Sequence, residues 1–318
     1  MLAITIGDAN GVGPEILLKA FSTGQLKGEF MAVGDYSVLE ACNEALEYGV
    51  ELRCVASPQD YKAGALNVLD AAMLKKEQIT PGKISKDVAA ASRQYVVTAT
   101  ELAKQGKFGA VVTLPVNKEG IRLTDPVFTG HTELIAELCG QYGYTMMLAS
   151  QKLTVTHVST HVSMQEACNV KKERVLEVIR LTNEAISRFI PSPKIAVAGL
   201  NAHAGEGGAF GCQEIDEINP AVEAANEEGI NTFGALPPDT VFWRAAKGEF
   251  DAVVCMYHDQ GHIPMKLLDF EGGVNVTLGL DVVRTSVDHG TAFDIAWQGK
   301  ASTGSLVAAY EYGLKIQK

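Results

Sequence analysis

The chain has 318 residues, of which 47% are hydrophobic and 20% charged, and its formal net charge is −11 at pH 7. This length predicts about two domains with an ample core, and the acidic balance argues against a nucleic acid or an anionic membrane as a partner. The sequence shows no signal-peptide pattern and no apolar run near ~18 residues, so no membrane span is predicted. Six scattered cysteines without a CxxC pair fit a reduced, cytoplasmic protein.

Short apolar segments alternate with longer amphipathic ones. We predict strands at residues 2–7, 30–35, 51–57, 110–116, 145–150, 153–160, 194–200, 251–257 and 274–280. We predict helices from Pro14 onward and at residues 85–106, 131–140, 171–190 and 305–317. The alternation indicates an α/β fold with a largely parallel sheet, with two lobes built around it and ligands at the carboxyl ends of the strands. The segments 145–150 and 153–160 are separated by only two residues and are expected to form a hairpin.

All seven histidines lie in or beside predicted strand ends and polar loops. They are His131, His157, His161, His203, His258, His262 and His289. One such histidine is more often structural than functional, but seven out of seven favour a site that uses imidazole chemistry.

The histidine spacings limit how a metal ion could be bound. His157 and His161 would lie ~13 Å apart on a strand, so at most one of them is a ligand. His258 and His262 have the spacing of two ligands on one helical face, but Gly261 and the following proline disfavour a helix there. We therefore expect a metal held by one histidine from each of several strand ends.

The segment GDANGVGPE at residues 7–15 loosely resembles a dinucleotide fingerprint, and Asp35 ends the next strand. The third glycine is absent, because Ile16 stands at its position. Glu15 also places a negative charge where a pyrophosphate would bind at the helix N-terminus. We expect a tight turn here and not a phosphate cradle.

Several segments together resemble the 4-hydroxythreonine-4-phosphate dehydrogenase family of vitamin B6 biosynthesis. They are GDANGVGPE, TLPVNKEG, FTGHTELIAEL, GLNAHAGEGG, PPDTVF, MYHDQGHIPMK, VNVTLGL and RTSVDHGTAFDIAWQGKA. The resemblance extends over the whole chain. The resemblance implies a two-lobed fold like that of isocitrate and isopropylmalate dehydrogenases. It also implies a homodimer whose active-site clefts contain residues from both subunits. The cofactor lobe would comprise roughly residues 1–110 and 268–318, and the metal, substrate and dimerisation lobe roughly residues 111–267.

The resemblance also implies roles for individual residues. The metal ligands would be His161, His203 and His258, binding one divalent ion (Zn, Mg, Co or Mn). The substrate-binding set would be His131, Thr132, Lys266, Asn275 and Arg284. The cofactor, NAD or NADP, would bind His289, Gly290, Thr291 and Asp294. Asp239 is a candidate for tuning a proton relay, with a buried helix-capping aspartate as the alternative.

The implied reaction oxidises a secondary alcohol of a four-carbon, 4-phosphorylated 3-hydroxy acid, and the β-keto acid then loses CO2. His262 stands where the pyridoxine-pathway enzymes usually carry leucine. With HVSTH, GHIPMKLL and AFDIAWQGKA, it resembles the branch that acts on 4-phospho-D-threonate and 4-phospho-D-erythronate. The choice between these substrates and 4-phosphooxy-threonine stays open at this point. More remote alternatives are a metallohydrolase, which needs no cofactor, and a sugar-phosphate binding protein without turnover.

Overall fold

A computed structural model describes residues 1–269 and 272–317. Its strands are β1 Leu2–Thr5, β2 Phe30–Gly34, β3 Leu52–Val55, β4 Leu66–Asp70, β5 Ala110–Thr113, β6 Thr145–Ala149, β7 Thr154–His157, β8 Ile195–Ala198, β9 Thr232–Leu236, β10 Ala252–Cys255, β11 Val274–Leu278 and β12 Arg284–Ser286. Its helices are α1 Gly13–Ser22, α2 Tyr36–Ala45, α3 Lys86–Lys104, α4 Lys118–Arg122, α5 His131–Cys139, α6 Met164–Ala167, α7 Lys172–Ser187, α8 Asn219–Glu227, α9 Pro238–Ala246, α10 His258–Leu268 and α11 Gly304–Ile316.

The chain divides into two compact units. The first contains Met1–Tyr142 and the chain from Leu280 onward, and the second contains Gly143–Gly279. We expected lobe boundaries near residues 110 and 268. The observed boundaries lie further along the chain, after Tyr142 and after Gly279. None of the helices within the described ranges is long and apolar enough to cross a membrane.

In the first unit the strands lie in the order β3, β4, β2, β1, β5, β12, and every neighbouring pair is parallel. Thr5 of β1 is in register with Thr113 of β5, which is in turn in register with Ser286 of β12. Strands β1 and β5 are buried along their whole length. Such strands show continuous apolar runs, as expected when helices cover both faces of a parallel sheet.

In the second unit the order is β11, β6, β7, β10, β8, β9. The pairs β11–β6 and β6–β7 are antiparallel and the others are parallel. Because side chains alternate along a strand, Val197 and Val254 pack with α7 and α8 in one core, and Ala196 and Val253 pack with α9 and α10 in another. The predicted α/β class with a largely parallel sheet is confirmed, as is the β6–β7 hairpin.

Candidate active site

In the first unit, the buried guanidinium of Arg284 is fixed by two threonines. Its Nε and Nη2 donate to the Oγ1 atom of Thr113 at 3.1 and 2.9 Å, and its Nη1 donates to the Oγ1 atom of Thr132 at 3.1 Å. Arg284 is 4% exposed, and burial lowers its pKa to about 10, against the opposite effect of Glu133. The group stays cationic at neutral pH and is held in one orientation. Such a guanidinium suits a phosphate or a carboxylate.

His131 begins α5 beside this arginine. Its Nε2 atom is fully enclosed and has no hydrogen-bond partner among the residues that the structure describes. Burial lowers its pKa to about 3, and the positive charges of Arg284 and Lys118 act in the same direction. The imidazole is therefore neutral, and we expect it to act by hydrogen bonding and not as a cation. The structure thus brings together three predicted substrate residues, His131, Thr132 and Arg284.

Lys118 is a fourth residue of this group, and the sequence reasoning did not select it. Its Nζ lies 3.3 Å from the place that a Cβ on Gly130 would take, and Gly130 is the residue preceding α5. Lys118 is exposed and follows β5 after a short loop, at the first turn of α4. The sequence signal that could have identified Lys118 is a basic residue shortly after a predicted strand in a protein of net negative charge. The group therefore has two cations beside the N-terminus of a helix, which favours an anion.

The four predicted cofactor residues lie between β12 and α11, in what we name the 288–301 segment. His289, Gly290 and Asp294 are exposed and Thr291 is half-buried. The Nδ1 of His289 lies 2.9 Å from the carbonyl oxygen of Gly290, so that nitrogen carries the proton. The exposed face leaves these groups accessible to a ligand.

The loop at residues 7–12 is not built to cradle a phosphate. The backbone N–H of Asp8 donates to Pro115, that of Gly11 to Asp8, and that of Val12 to Thr291. The backbone N–H of Asn10 donates to the Asp8 carboxylate at 2.9 Å. A phosphate cradle needs several free N–H groups, and these four are already used. Asp35 is equally unsuited to a ribose, because it is fully buried.

In the second unit, α10 begins at His258 and continues to Leu268 through Gly261 and Pro264. The expectation that Gly261 and the following proline disfavour a helix over His258 and His262 is therefore wrong. The two histidines lie one turn apart on one face, with their rings stacked at 3.6 Å between centroids. The Nδ1 of His262 lies 2.9 Å from the carbonyl oxygen of His258, so Nδ1 carries the proton.

His157 explains why glycine occupies the middle of α10. A Cβ on Gly261 would lie 2.5 Å from the Nε2 of His157, so no larger residue fits there without displacement. His157 is fully buried, and its Nδ1 donates to the carbonyl of Met146 at 3.1 Å. Burial lowers its pKa to about 3, and the nearby His262 adds to the effect. His157 thus acts as a neutral packing residue beneath His262, at 4.8 Å between ring centroids.

Two of the three predicted metal ligands are neighbours. The rings of His161 and His258 are 5.8 Å apart between centroids. The Nδ1 of His258 lies 2.7 Å from a carboxylate oxygen of Asp259, a pairing that metal-bound histidines commonly make and that would leave Nε2 to face a metal ion. His203 is not beside them, and across residues 1–269 and 272–317 no three His, Cys, Asp or Glu side chains are grouped to hold a metal ion.

His203 instead lies in an unusual turn. Residues 203–207 all have left-handed backbone angles, with φ of 52° at His203, 54° at Ala204 and 45° at Glu206. Left-handed angles are unfavourable for residues with a Cβ, so the surrounding structure must hold them. The buried carboxylate of Glu214 accepts from the backbone N–H of Asn201 at 2.7 Å and from its side chain at 2.9 Å. This anchors the start of the turn that presents His203.

The remaining predicted residues of this unit lie on three elements. Lys266 is half-buried on α10, two turns beyond His258 and about 12 Å along the helix. Asn275 is half-buried on β11, in register with Leu148. Asp239 is exposed in the first turn of α9, so the alternative of a buried capping aspartate is wrong. Its Oδ2 lies 3.9 Å from the Nδ1 of His203.

The family model of the pyridoxal phosphate biosynthetic protein PdxA matches residues 27–313. The chain belongs to the PdxA family. It is 40% identical to the D-threonate 4-phosphate dehydrogenase of Pectobacterium atrosepticum, over 99% of both chains. It is also 40% identical to the 4-hydroxythreonine-4-phosphate dehydrogenase of Desulforapulum autotrophicum, over 97% of this chain and 93% of that protein.

A solved structure of 4-hydroxythreonine-4-phosphate dehydrogenase from Klebsiella pneumoniae superposes with a TM-score of 0.91 at 39% identity, covering 99% of this chain and 97% of that one. The resemblance found in the sequence is thus confirmed, and this PdxA-family chain is an oxidoreductase of the dehydrogenase type. The family carries two substrate names, so membership gives a 4-phosphorylated hydroxy acid as the substrate class and leaves the individual substrate to be proposed.

Proposed function

We propose that the protein oxidises the C3 hydroxyl of a four-carbon, 4-phosphorylated 3-hydroxy acid with NAD or NADP and a divalent metal ion, and that the resulting β-keto acid loses CO2. The observation that carries the anion-binding part is the buried Arg284, which is fixed by Thr113 and Thr132 in a chain of net charge −11. A buried arginine with a fixed fork is suited to bidentate binding of a phosphate or carboxylate. Lys118 and the N-terminus of α5 add positive potential beside it.

The proposed substrate-binding set is His131, Thr132, Arg284, Lys266 and Asn275. His131 is neutral and half-buried, so we propose that it contacts the substrate as an uncharged ring and not as a cation. Lys266, on α10 of the second unit, is proposed as a further cation for the substrate.

The proposed metal ligands are His161, His203 and His258, of which the structure shows His161 and His258 as neighbours. The donor chemistry fits Zn best among the expected metals, because imidazole nitrogen suits zinc, whereas Mg and Mn prefer oxygen ligands. A homodimer whose active sites contain residues of both subunits would allow a ligand set that one chain does not complete. When bound, the metal ion would polarise the C3 oxygen and the nicotinamide would accept the hydride.

Asp239 is the proposed residue for proton handling. It is exposed and lies beside His203, at 3.9 Å from Nδ1, so a proton can pass between its carboxylate and solvent. The proposed cofactor residues are His289, Gly290, Thr291 and Asp294 of the 288–301 segment. Three of them are exposed and Thr291 is half-buried.

We propose D-threonate 4-phosphate or its erythronate epimer as the substrate ahead of 4-phosphooxy-threonine. Two features support this choice: the name of the Pectobacterium relative, and the placement of His262 stacked on a proposed metal ligand. These substrates differ at C2, which bears a hydroxyl in the sugar acids and an ammonium in the amino acid. 4-Phosphooxy-threonine is the second candidate, supported by the name of the Desulforapulum relative.

One assay tests the proposal. NADH or NADPH formation is followed with 4-phospho-D-threonate, 4-phospho-D-erythronate and 4-phosphooxy-threonine in parallel, with and without chelator. We expect metal-dependent reduction of one dinucleotide, with the highest kcat/KM for a sugar acid. Product formation without any dinucleotide would support the metallohydrolase, and tight binding without turnover would support the binding protein.

A further inference from the structure

The N-terminal loop and the start of α1 are bonded to the 288–301 segment at several points. Val12 donates its backbone N–H to the carbonyl of Thr291 at 3.0 Å, and the indole Nε1 of Trp297 donates to the carbonyl of Ala9 at 3.1 Å. A Cβ on Gly11 would lie 2.9 Å from the carbonyl oxygen of Thr291, so the two backbones touch there. The GDANGVGPE motif therefore forms a base on which this segment lies.

Glu15 makes the strongest of these links. It is fully buried, in the first turn of α1, and both of its carboxylate oxygens accept backbone N–H groups of the segment. Oε1 accepts from Ala301 at 2.9 Å and Oε2 accepts from Gln298 at 3.2 Å. A buried carboxylate is costly unless it is hydrogen-bonded, and its charge here is further favoured by the positive end of α1. Both hydrogen bonds that the described part of the chain makes to this carboxylate come from the segment, so Glu15 holds the segment in place.

The segment needs such an anchor. Two of its non-glycine residues, Ala292 and Trp297, have left-handed backbone angles, with φ of 42° and 59°. L-residues adopt these angles only where surrounding contacts force them, and such positions cluster at ligand-binding sites. Trp297 directly precedes Gln298, whose N–H is bound by Glu15. Loss of the carboxylate would therefore release the strained part of the segment first.

We propose that Glu15 is a positioning residue for the dinucleotide, because it holds the 288–301 segment in the shape that binds the cofactor. This inference rests on the proposed function, in which residues 289–294 of the segment contact NAD or NADP. It assigns the N-terminal motif an indirect role at the cofactor site: the motif supplies the support for the cofactor loop and contacts no phosphate itself.

The test is Glu15→Gln, which keeps the size of the side chain but presents an amide N–H₂ to one of the two backbone N–H groups. We expect the KM for the dinucleotide to rise about tenfold or more, with kcat at saturating dinucleotide and the KM for the phosphorylated substrate changed less than twofold. Hydrogen exchange in 288–301, measured without cofactor, should become faster while exchange in the second unit stays the same. Equal losses in kcat and in both KM values, or unchanged exchange in the segment, would overturn the proposal.

Asp70→Asn is the matched control. Asp70 also accepts two backbone N–H groups in the same unit, from Tyr36 at 2.9 Å and Ala72 at 3.1 Å, but none from the segment. It should leave the dinucleotide KM unchanged, and a tenfold rise in Asp70→Asn as well would refute a specific role for Glu15. If Glu15→Gln does not fold, Lys19→Ala decides. Lys19 donates to the carbonyls of Gly299 and Ala301 at 3.1 and 2.9 Å, and its loss should raise the same KM two- to threefold.

The failure of this proposal can be told from that of the proposed function. If the wild-type protein neither reduces nor binds a dinucleotide, the proposed function is wrong, whatever the exchange data show. If the wild type binds NADH, seen as enhanced nicotinamide fluorescence, and Glu15→Gln binds it equally well, only the positioning role is wrong.

Discussion

Arg284 donates two hydrogen bonds to the same hydroxyl oxygen of Thr113, from Nε at 3.1 Å and from Nη2 at 2.9 Å. A residue of a β-strand, and not of a loop, therefore fixes the orientation of the side of the guanidinium that carries Nε and Nη2. In register beside Thr113 lies Thr5 of β1, which is also buried but whose Oγ1 has no hydrogen-bond partner within residues 1–269 and 272–317. The two threonines are neighbours in one sheet, but only the hydroxyl of Thr113 accepts hydrogen bonds from Arg284.

This pair gives the first prediction. Thr113→Val leaves two N–H groups of a buried guanidinium without their acceptor, and we expect a loss of about 1–3 kcal/mol in the free energy of unfolding. We also expect the KM for the phosphorylated substrate to rise about tenfold, because Arg284 loses its fixed orientation. Thr5→Val removes only an unpaired buried hydroxyl and should leave stability unchanged or raise it by about 1 kcal/mol. Denaturant unfolding and initial rates measure both, and equal effects of the two substitutions would contradict the assignment.

The second prediction concerns the metal ligands. His203→Ala should lower the divalent metal content and turnover together, with turnover falling about a hundredfold or more. The matched control is His289→Ala, another exposed histidine, which we assign to the cofactor. It should keep its metal content and raise the KM for the dinucleotide. Metal analysis after gel filtration gives the content, and survival of both metal and rate in His203→Ala would show that the ligand is misassigned.

The third prediction concerns substrate choice. His262 carries its proton on Nδ1, so its Nε2 is an acceptor when the ring is neutral, and its ring lies on that of His258. We expect it to favour a C2 hydroxyl over a C2 ammonium, and a protonated ring would repel the ammonium further. In His262→Leu, the ratio of kcat/KM for 4-phospho-D-threonate over 4-phosphooxy-threonine should fall about tenfold, corresponding to about 1.4 kcal/mol. An unchanged ratio would mean that His262 is a packing residue only.

The fourth prediction concerns pH. Asp8 is buried, and burial raises its pKa from the ordinary value of 3.8 to about 6, although a backbone N–H bond from Asn10 acts in the opposite direction. The folded state thus holds this proton more tightly than the unfolded state, so stability is lost as the pH rises from about 4 to about 6. Two pKa units correspond to about 3 kcal/mol as an upper value. Asp8→Asn removes this dependence.

The measurement for Asp8 is the free energy of unfolding of both proteins at pH 4 and pH 7. The difference between Asp8→Asn and the wild type should move by about 1–3 kcal/mol in favour of the variant between these two pH values. A difference that does not change with pH would show that the Asp8 carboxyl is ionised at its ordinary pKa in the folded protein.

Hydrophobic periodicity predicted most of the regular elements, and its failures have physical causes. The stretch from His258 to Leu268 contains a glycine and a proline, and local propensity argues against a helix there. The helix forms because Gly261 is the residue that fits against His157, and because Met265 is buried in the core below it. Gly261 meets a side chain of β7, which is far away in sequence, so propensity alone could not find this helix.

The candidate site also contains some residues that the sequence predicted and others that it did not. The family resemblance pointed to Arg284, His131 and Thr132, but not to Thr113, the other threonine that fixes the arginine, or to Lys118. Thr113 reads as an ordinary residue of a buried strand, and its role appears only when β5 and β12 are paired. Nothing in the motif GDANGVGPE indicates that Glu15 bonds to residues nearly 300 positions later in the chain.

The left-handed turn at residues 203–207 has a consequence for protein engineering. A short synthetic peptide with the sequence NAHAGEGG would not keep this shape, because three of its residues with a Cβ are in an unfavourable backbone conformation and the anchoring carboxylate of Glu214 lies outside the peptide. Grafting the histidine turn onto another scaffold would therefore require the acceptor as well as the loop. Conversely, a D-alanine introduced at position 204 by chemical synthesis would match the handedness of the turn without strain.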